Sequence, residues 1–485
     1  IGPGAMQALS GSLASSSNGV GMYHIYGDET THGEGYNMQQ IPKNEQGKFG
    51  QVTAQFGESY VLHTPKALRD ALRRGGLRVN HPCKAGPFYL MMPINTQPEM
   101  INPLNLEALP VLPNFPLTSV SDNKQVDKAA NLIRNTSKVI IKTGGGSSKF
   151  AEKVKQLAET CSIPVVLSPG STGVLPDKHP LNMHVGGSKG SISGNYAIAN
   201  AELLVVIGSR AVCQSDCSGI GYEKVTDVIN MNCDLIDLAH YNRTVLLPGD
   251  IGETLDKLIQ NFKKAPAEIN DDKKSWLKHC AERKYEWYEF KIQRFNCPPI
   301  KDEAWQRCVL TQPSAIKVVS DFAKNIKAVK YFDAGDVQAN GFQIVEDDSP
   351  SDTFTESGAS YMGFSPSALA ASALADQPQY GISFCGDGSF MMNPQILIDS
   401  IELGVKGMIV IFDNRRMGAI TGLQEAQYGA GFKTNDSVEV DYVKMSDAVK
   451  GVKAYFGGES ISELKSALEK AYKHQGLSVI HVPVY

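Results

Sequence analysis

Two short apolar runs late in the chain, each breaking into a polar turn, restrict what this sequence can fold into more than any other feature. The first, Gly381-Ile382-Ser383-Phe384, breaks into Cys385-Gly386-Asp387-Gly388-Ser389-Phe390. The second, Met408-Ile409-Val410-Ile411-Phe412, breaks into Asp413-Asn414. Each run reads as a buried strand. Ile396, Leu397 and Ile401 recur at helical spacing, so a helix follows the first turn. A strand, a glycine-rich turn and a helix N-terminus together make an anion site, because unpaired N–H groups and the helix dipole converge there. Asp387 adds a carboxylate to that site, which is unfavourable unless a divalent cation lies between it and the anion. A hard cation such as Mg²⁺ takes oxygen ligands, so a second ligand has to come from a neighbour. If the two strands are adjacent and parallel, Asn414 stands beside Asp387 at their carboxyl ends, where open α/β sheets bind ligands.

Taken alone, Gly386-Asp387-Gly388 is equally a plain turn, since Asp-Gly is a common turn dipeptide. Asn414 at the end of the next strand changes the balance. G-D-G, then 24 residues (389–412), then D-N resembles the thiamine diphosphate motif. That pattern usually ends in N-N; D-N keeps the ligating asparagine. The resemblance implies a metal held by Asp387, Asn414 and the main-chain carbonyl of Arg416.

At 485 residues the chain has room for roughly two to four domains. A net charge of −4 points to neither a nucleic-acid nor a membrane partner. The nine cysteines contain no C-x-x-C pair, and read as reduced, mostly buried thiols in a cytoplasmic setting. No apolar run approaches the length of a membrane span.

In chain order, residues 1–108 read as a first α/β unit. Gly2-Pro3-Gly4-Ala5 leads into a helix through Ala14, and 20–26 is a strand. The polar stretch 29–50 is a loop over a site. Thr64 caps a helix with Pro65 at its first position, and 86–93 is a strand ending at a proline. The run 476–483 has the same form (glycine, apolar run, proline), and each closes a helix-then-strand unit, which suggests a faint internal repeat. A proline-rich linker leads to a second α/β unit over 121–262, with strands at 138–142, 164–167 and 203–210. Its Gly144-Gly145-Gly146 turn is either a dinucleotide phosphate site, with FAD or NAD as the candidate ligand, or simply a tight strand-to-helix turn. Residues 263–310 read as a helical connector anchored by Trp276, Trp287 and Tyr288, its lysines forming a solvated face. A third α/β unit fills 311–485. The expected fold is therefore α/β, with three doubly wound parallel-sheet domains, the first apparently incomplete at its N-terminus.

From Gly2 to Pro483 the chain resembles the acetolactate synthase-like thiamine diphosphate enzymes, whose domain order is pyrimidine-binding, middle, diphosphate-binding. The segments 383–424 and 434–442 also resemble trihydroxycyclohexanedione hydrolase, which cleaves a cyclic 1,2-diketone. The family resemblance implies thiamine diphosphate and Mg²⁺ as cofactors and a C–C bond next to a carbonyl as the target. It implies cofactor contacts at Pro3, Gln7, Gly335, Asp336, Ser360, Met362, Gly386, Gly388, Ser389, Asn414 and Gly418. Ser360-Tyr361-Met362-Gly363-Phe364 resembles the family's G-T-M-G-F, with Met362 as the wedge that bends the cofactor. Asp336 departs from the family, since a carboxylate near a diphosphate needs the metal or a rotamer turned away. The activating glutamate is expected upstream of Ile1, so a missing N-terminal segment is the favoured expectation, and Glu29, Glu34 and Glu45 are not substitutes for it. A non-catalytic cofactor-binding subunit is the alternative. Gln39 is the best single candidate for substrate contact, ahead of His32, Gln40, Glu45 and His63. The expected partners are a small carbonyl substrate and further copies of the chain, as a homodimer or homotetramer.

Overall fold

A computed structural model describes all residues except 1, 33–39, 41–45, 102–103, 113–121, 213–220 and 437, and of Pro3 only the backbone. The chain forms two compact units, Ile1–Leu117 and Thr118–Tyr485.

In the first unit a helix, Gly2–Asn18, precedes three parallel strands, β1 (Met22–Asp28), β2 (Glu58–Val61) and β3 (Pro87–Pro93), in spatial order β1-β3-β2. The helix runs four residues past Ala14, so the first strand begins two residues later than its apolar pattern suggests. Gly2 sits at φ 25, and a Cβ there would lie 2.7 Å from the Phe49 ring, which explains the glycine. The expected Thr64 cap is absent. Pro65–Ala67 forms a 3₁₀ turn, Thr64 makes no side-chain cap bond, and the α-helix starts at Leu68.

The second unit contains two six-stranded parallel sheets. One comprises β4 (Val139–Thr143), β5 (Val165–Leu167), β6 (Asn182–Val185), β7 (Leu203–Ile207), β8 (Asp227–Asn232) and β9 (Thr244–Pro248), in the order β6-β5-β4-β7-β8-β9. A short antiparallel hairpin follows, β10 (Ile300–Asp302) and β11 (Arg307–Val309). The other sheet comprises β12 (Val329–Phe332), β13 (Thr353–Thr355), β14 (Gly381–Gly386), β15 (Gly407–Asp413), β16 (Lys453–Phe456) and β17 (Leu477–Pro483), ordered β13-β12-β14-β15-β17-β16. Every residue of β7, β15 and β17 is buried, as expected when helices cover both faces. One continuous apolar core runs through both sheets. Within it Phe332 stacks on Phe384 at 4.3 Å between ring centroids, and Phe384 on Phe412 at 5.8 Å. Each ring buried this way contributes about 2–3 kcal/mol from apolar area alone, so this row fixes β12, β14 and β15 side by side.

The internal repeat has a topological counterpart. The order β1-β3-β2 in the first unit matches β15-β17-β16 in the second, with all strands parallel in both.

The connector differs from expectation. It holds a 25-residue helix, Asp271–Phe295, in which Trp276 and Trp287 are buried anchors while Tyr288 is exposed. Its lysines do not form a uniformly solvated face, because Lys273 and Lys291 are each only 2% exposed. Lys291 lies between Asp177 (3.9 Å) and Glu346 (3.5 Å), and that carboxylate pair is what makes its burial tolerable.

Gly144-Gly145-Gly146 lies where the first sheet reverses order, between β4 and β7. The Gly146 N–H donates to the Gly208 carbonyl at 3.0 Å, and a Cβ on Gly144 would sit 2.4 Å from that same oxygen. Gly144 and Gly146 let two backbone turns touch, which accounts for these two glycines as packing.

Candidate functional site

The second sheet also reverses order, between β12 and β14, and the crevice beyond a reversal is where such sheets bind ligands. β14 and β15 pair in parallel, ending with Gly386 opposite Phe412. Asp387 and Asp413 are therefore the next residues at two adjacent strand tips, and Asn414 follows by one. The tips of β12, β14 and β15 open into a cavity of about 300 Å³. Gly335, Asp336, Ser360, Met362, Gly386, Asp387, Gly388, Ser389, Asn414, Arg416 and Gly418 all line it. Residues from four separate segments thus converge, and every candidate named in the third α/β unit lies among them.

Asp387 is only 4% exposed. Burial and the neighbouring Asp413 push its carboxyl up to about 8. No basic side chain pairs with it among the described residues, and Asp436 adds a further negative neighbour. A buried carboxylate facing other carboxylates is costly unless a cation joins it. Asn414 Oδ1 accepts the Arg416 N–H at 3.2 Å and keeps a second lone pair. The chain from Arg415 to Met417 bridges to the 434–436 segment through Met417 N–H to Thr434 O (2.7 Å) and Asp436 N–H to Arg415 O (2.8 Å). Neither bond uses the Arg416 carbonyl. Residues carrying a carboxylate, an amide oxygen and a main-chain carbonyl therefore line one crevice, a donor set of the kind suited to a hard cation. Among the described residues no cluster of three His, Cys, Asp or Glu side chains could hold a metal, so this mixed set is the candidate.

The opposite wall of the crevice is formed by glycine turns and a helix start. Gly335, at φ 91, precedes the helix Asp336–Ile344, and a Cβ on it would meet nothing within 4 Å. A Cβ on Gly388 would come 3.5 Å from both Met362 Cε and Met417 Sδ, an ordinary contact, so the two methionines face that turn across the cavity. Met362 lines the cavity half-buried and is not core. Asp333, fully buried, clamps the rim. Its Oδ1 accepts the N–H groups of Ala334 (2.9 Å) and Gly363 (3.0 Å), and its Oδ2 accepts that of Ser365 (2.8 Å). This one carboxylate ties the end of β12 to the turn carrying Met362.

Asp336 is not turned away. Its Oδ2 lies 1.9 Å from where a Cβ on Gly418 would be, so Gly418 makes room for it. Burial raises the Asp336 carboxyl, while Lys189 and Arg416 pull it down.

Behind the Asp413–Arg416 turn stands a support that sequence reasoning missed. His481 Nε2 lies 2.9 Å from Asp413 Oδ2, and Asp413 Oδ1 accepts the Arg415 N–H at 3.0 Å. Arg416 donates to Asp302 Oδ2 at 2.5 Å, and Arg415 to the Ala304 carbonyl at 2.8 Å. The Arg415 guanidinium lies 5.3 Å from the centre of the Trp305 ring. The aspartate of D-N therefore has its own partners, and the β10–β11 hairpin grips both arginines. Lys189 and Gln312 also line the cavity and were not foreseen. A strand-end carboxylate can be read from sequence, but a lysine some two hundred residues upstream carries no local signal.

The remaining candidates lie in the first unit. Pro3 and Gln7 are in the helix Gly2–Asn18, with Gln7 exposed. His32, Gln40 and His63 are exposed, while Gln39, Glu34 and Glu45 fall outside the described residues. Glu29 is buried and accepts the Gly47 N–H, a structural role.

Comparison with known proteins agrees with this geometry. Residues 333–482 match the C-terminal TPP-binding domain of thiamine pyrophosphate enzymes, and residues 126–258 match the central domain of the same enzymes. A probable acetolactate synthase large subunit of Methanocaldococcus jannaschii is 27% identical over 407 residues, covering 82% of this chain and 66% of that protein. A 3D-(3,5/4)-trihydroxycyclohexane-1,2-dione hydrolase of Listeria monocytogenes is 26% identical over 448 residues, 87% of this chain and 69% of the hydrolase. The acetolactate synthase isozyme 1 large subunit of Escherichia coli is 23% identical over 440 residues, 88% and 71% respectively. The chain thus spans about two thirds of the length of these relatives.

Proposed function

The chain belongs to the thiamine pyrophosphate enzymes, and from that premise we propose that it uses thiamine diphosphate and Mg²⁺ to cleave or form a C–C bond next to a carbonyl. The observation that carries this reading is the joint placement of Asp387 and Asn414 at adjacent strand tips in one crevice. Asp387, Asn414 and the Arg416 carbonyl would hold the cation. The N–H groups at the start of the helix Asp336–Ile344 and the Gly386-Asp387-Gly388 turn would receive the diphosphate. Met362 would shape the thiazolium pocket, and Ser360 would line its inner wall. When bound, thiamine diphosphate supplies a carbanion that adds to a carbonyl carbon. The residues of this chain bind and orient it: Asp333 holds the rim rigid, and the arginine turn keeps the Arg416 carbonyl in place.

Two substrate classes have support. The acetolactate synthase relatives favour 2-keto acids, with carboligation or decarboxylation as the reaction. The hydrolase relatives align over more residues and favour ring opening of a cyclic 1,2-diketone. A screen of pyruvate, longer 2-keto acids and cyclic 1,2-diketones, with both cofactors present, separates them. Cofactor-dependent consumption of one class is expected. Turnover that persists without thiamine diphosphate would overturn the reading.

A further inference from the structure

One charged residue in the crevice forms no close ion pair among the described residues and feels Asp336 only through space. Arg416 is committed to Asp302 and to the Asn414 carbonyl, at 2.5 and 3.1 Å. Lys189 lines the same cavity and forms no ion pair within 4.0 Å among the described residues. It reaches the cavity from the other sheet, on the turn between β6 and the helix Ile192–Asn200.

That turn is firmly held. The Gly187 N–H donates to Asn195 Oδ1 (2.9 Å), the Gly190 N–H to the Gly187 carbonyl (3.0 Å), and the Ser191 N–H to the Val185 carbonyl (2.7 Å). The Lys189 carbonyl accepts from Gln343 Nε2 at 3.2 Å, which ties the turn to the helix that Asp336 begins. The lysine is thus presented on a fixed backbone.

Charge balance shows why it matters. The charged side chains lining the cavity are Lys189, Asp336, Asp387 and Arg416, and Arg416 is already ion-paired with Asp302. Two carboxylates would then face an incoming diphosphate of about three negative charges. A divalent cation covers only part of this. Asp336 in particular lies on the wall of glycine turns, with its oxygen beside Gly418. The Lys189 ammonium on the same wall already draws the Asp336 carboxyl down, together with Arg416, and lysine binds phosphate as a point charge without needing a fixed fork.

We propose that Lys189 contacts the diphosphate of the bound cofactor and offsets Asp336, so that cofactor binding joins the first six-stranded sheet to the second. This rests on the thiamine diphosphate reading. It adds a cofactor-contacting residue from outside the matched C-terminal domain.

Calorimetric titration of thiamine diphosphate with Mg²⁺ into wild type, Lys189→Gln, Asp336→Asn and the double variant tests it. Lys189→Gln should raise the Kd by about tenfold or more, the effect of losing one charge-assisted bond, with the melting temperature unchanged. Lys189→Arg should restore most of the affinity. Asp336→Asn should tighten binding, and the double variant should return to within about threefold of wild type, because the two charges are coupled. A Lys189→Gln Kd within about twofold of wild type, or a deficit that Asp336→Asn leaves intact, would overturn the proposal while the cofactor reading stands. Failure of wild type itself to bind would remove both.

Discussion

Asp387 is the residue on which the proposed cation site depends, and its environment makes a directional claim. Its carboxyl is raised to about 8 in the fold, against about 4 in an unfolded chain. The ionised form is therefore the costly one. Stability that is complete below about pH 4 is lost as the pH rises toward 8, provided no cation is present. A divalent cation binds the ionised form and opposes that loss. Thermal melts in chelator should show a falling melting temperature across this range, Mg²⁺ with thiamine diphosphate should flatten the fall, and Asp387→Asn should flatten it without metal. Asp387→Ala should also weaken Mg²⁺-dependent cofactor binding, by at least the roughly 10- to 100-fold that loss of an outer-shell partner costs a metal site. Unchanged affinity by calorimetry would count against the site. The placement of Asp387 and Asn414 at neighbouring strand ends was legible in the sequence, because both stand where an apolar run stops. The contact of Asp413 with His481 and the position of Lys189 at the cavity were not, since each depends on residues far apart in the chain.

At the scale of elements, the aromatic row Phe332, Phe384 and Phe412 holds the three strands whose tips form the crevice. Phe384→Ala should cost about 3–5 kcal/mol in denaturant unfolding, the price of a cavity under the site. The first sheet's glycine turn makes the opposite kind of prediction. Gly144→Ala places a Cβ 2.4 Å from the Gly208 carbonyl and the Ser209 Cα, so it should destabilise by about 1–3 kcal/mol. Purified wild type should show no flavin absorption; a flavin spectrum lost in Gly144→Ala would reverse that assignment. Buried strands with unbroken apolar runs, such as β7 and β15, could be read directly from sequence. The β10–β11 hairpin could not, because three-residue strands are too short for a periodic signal, yet it grips Arg415 and Arg416. The burial of Lys273 and Lys291 was equally hidden, because composition alone makes a lysine-rich helix look solvated.

At the scale of the whole molecule, the segment beyond the crevice leaves Leu423, Tyr428 and Phe432 between 67% and 77% exposed. Large apolar residues exposed on one segment are what a contact between copies would use, and the expectation from the family resemblance is a second copy of the chain. Sedimentation should therefore find a dimer or larger assembly, and an active monomer would contradict this. No described helix is long and apolar enough to cross a membrane. The account as a whole depends on a cation linking Asp387 and Asn414 to a diphosphate. Titrating thiamine diphosphate into the wild-type chain, once with Mg²⁺ and once after chelation, measures that link directly. Saturable binding with Mg²⁺ that disappears on chelation is the predicted result; binding of equal strength in chelator, or none in either buffer, would contradict it.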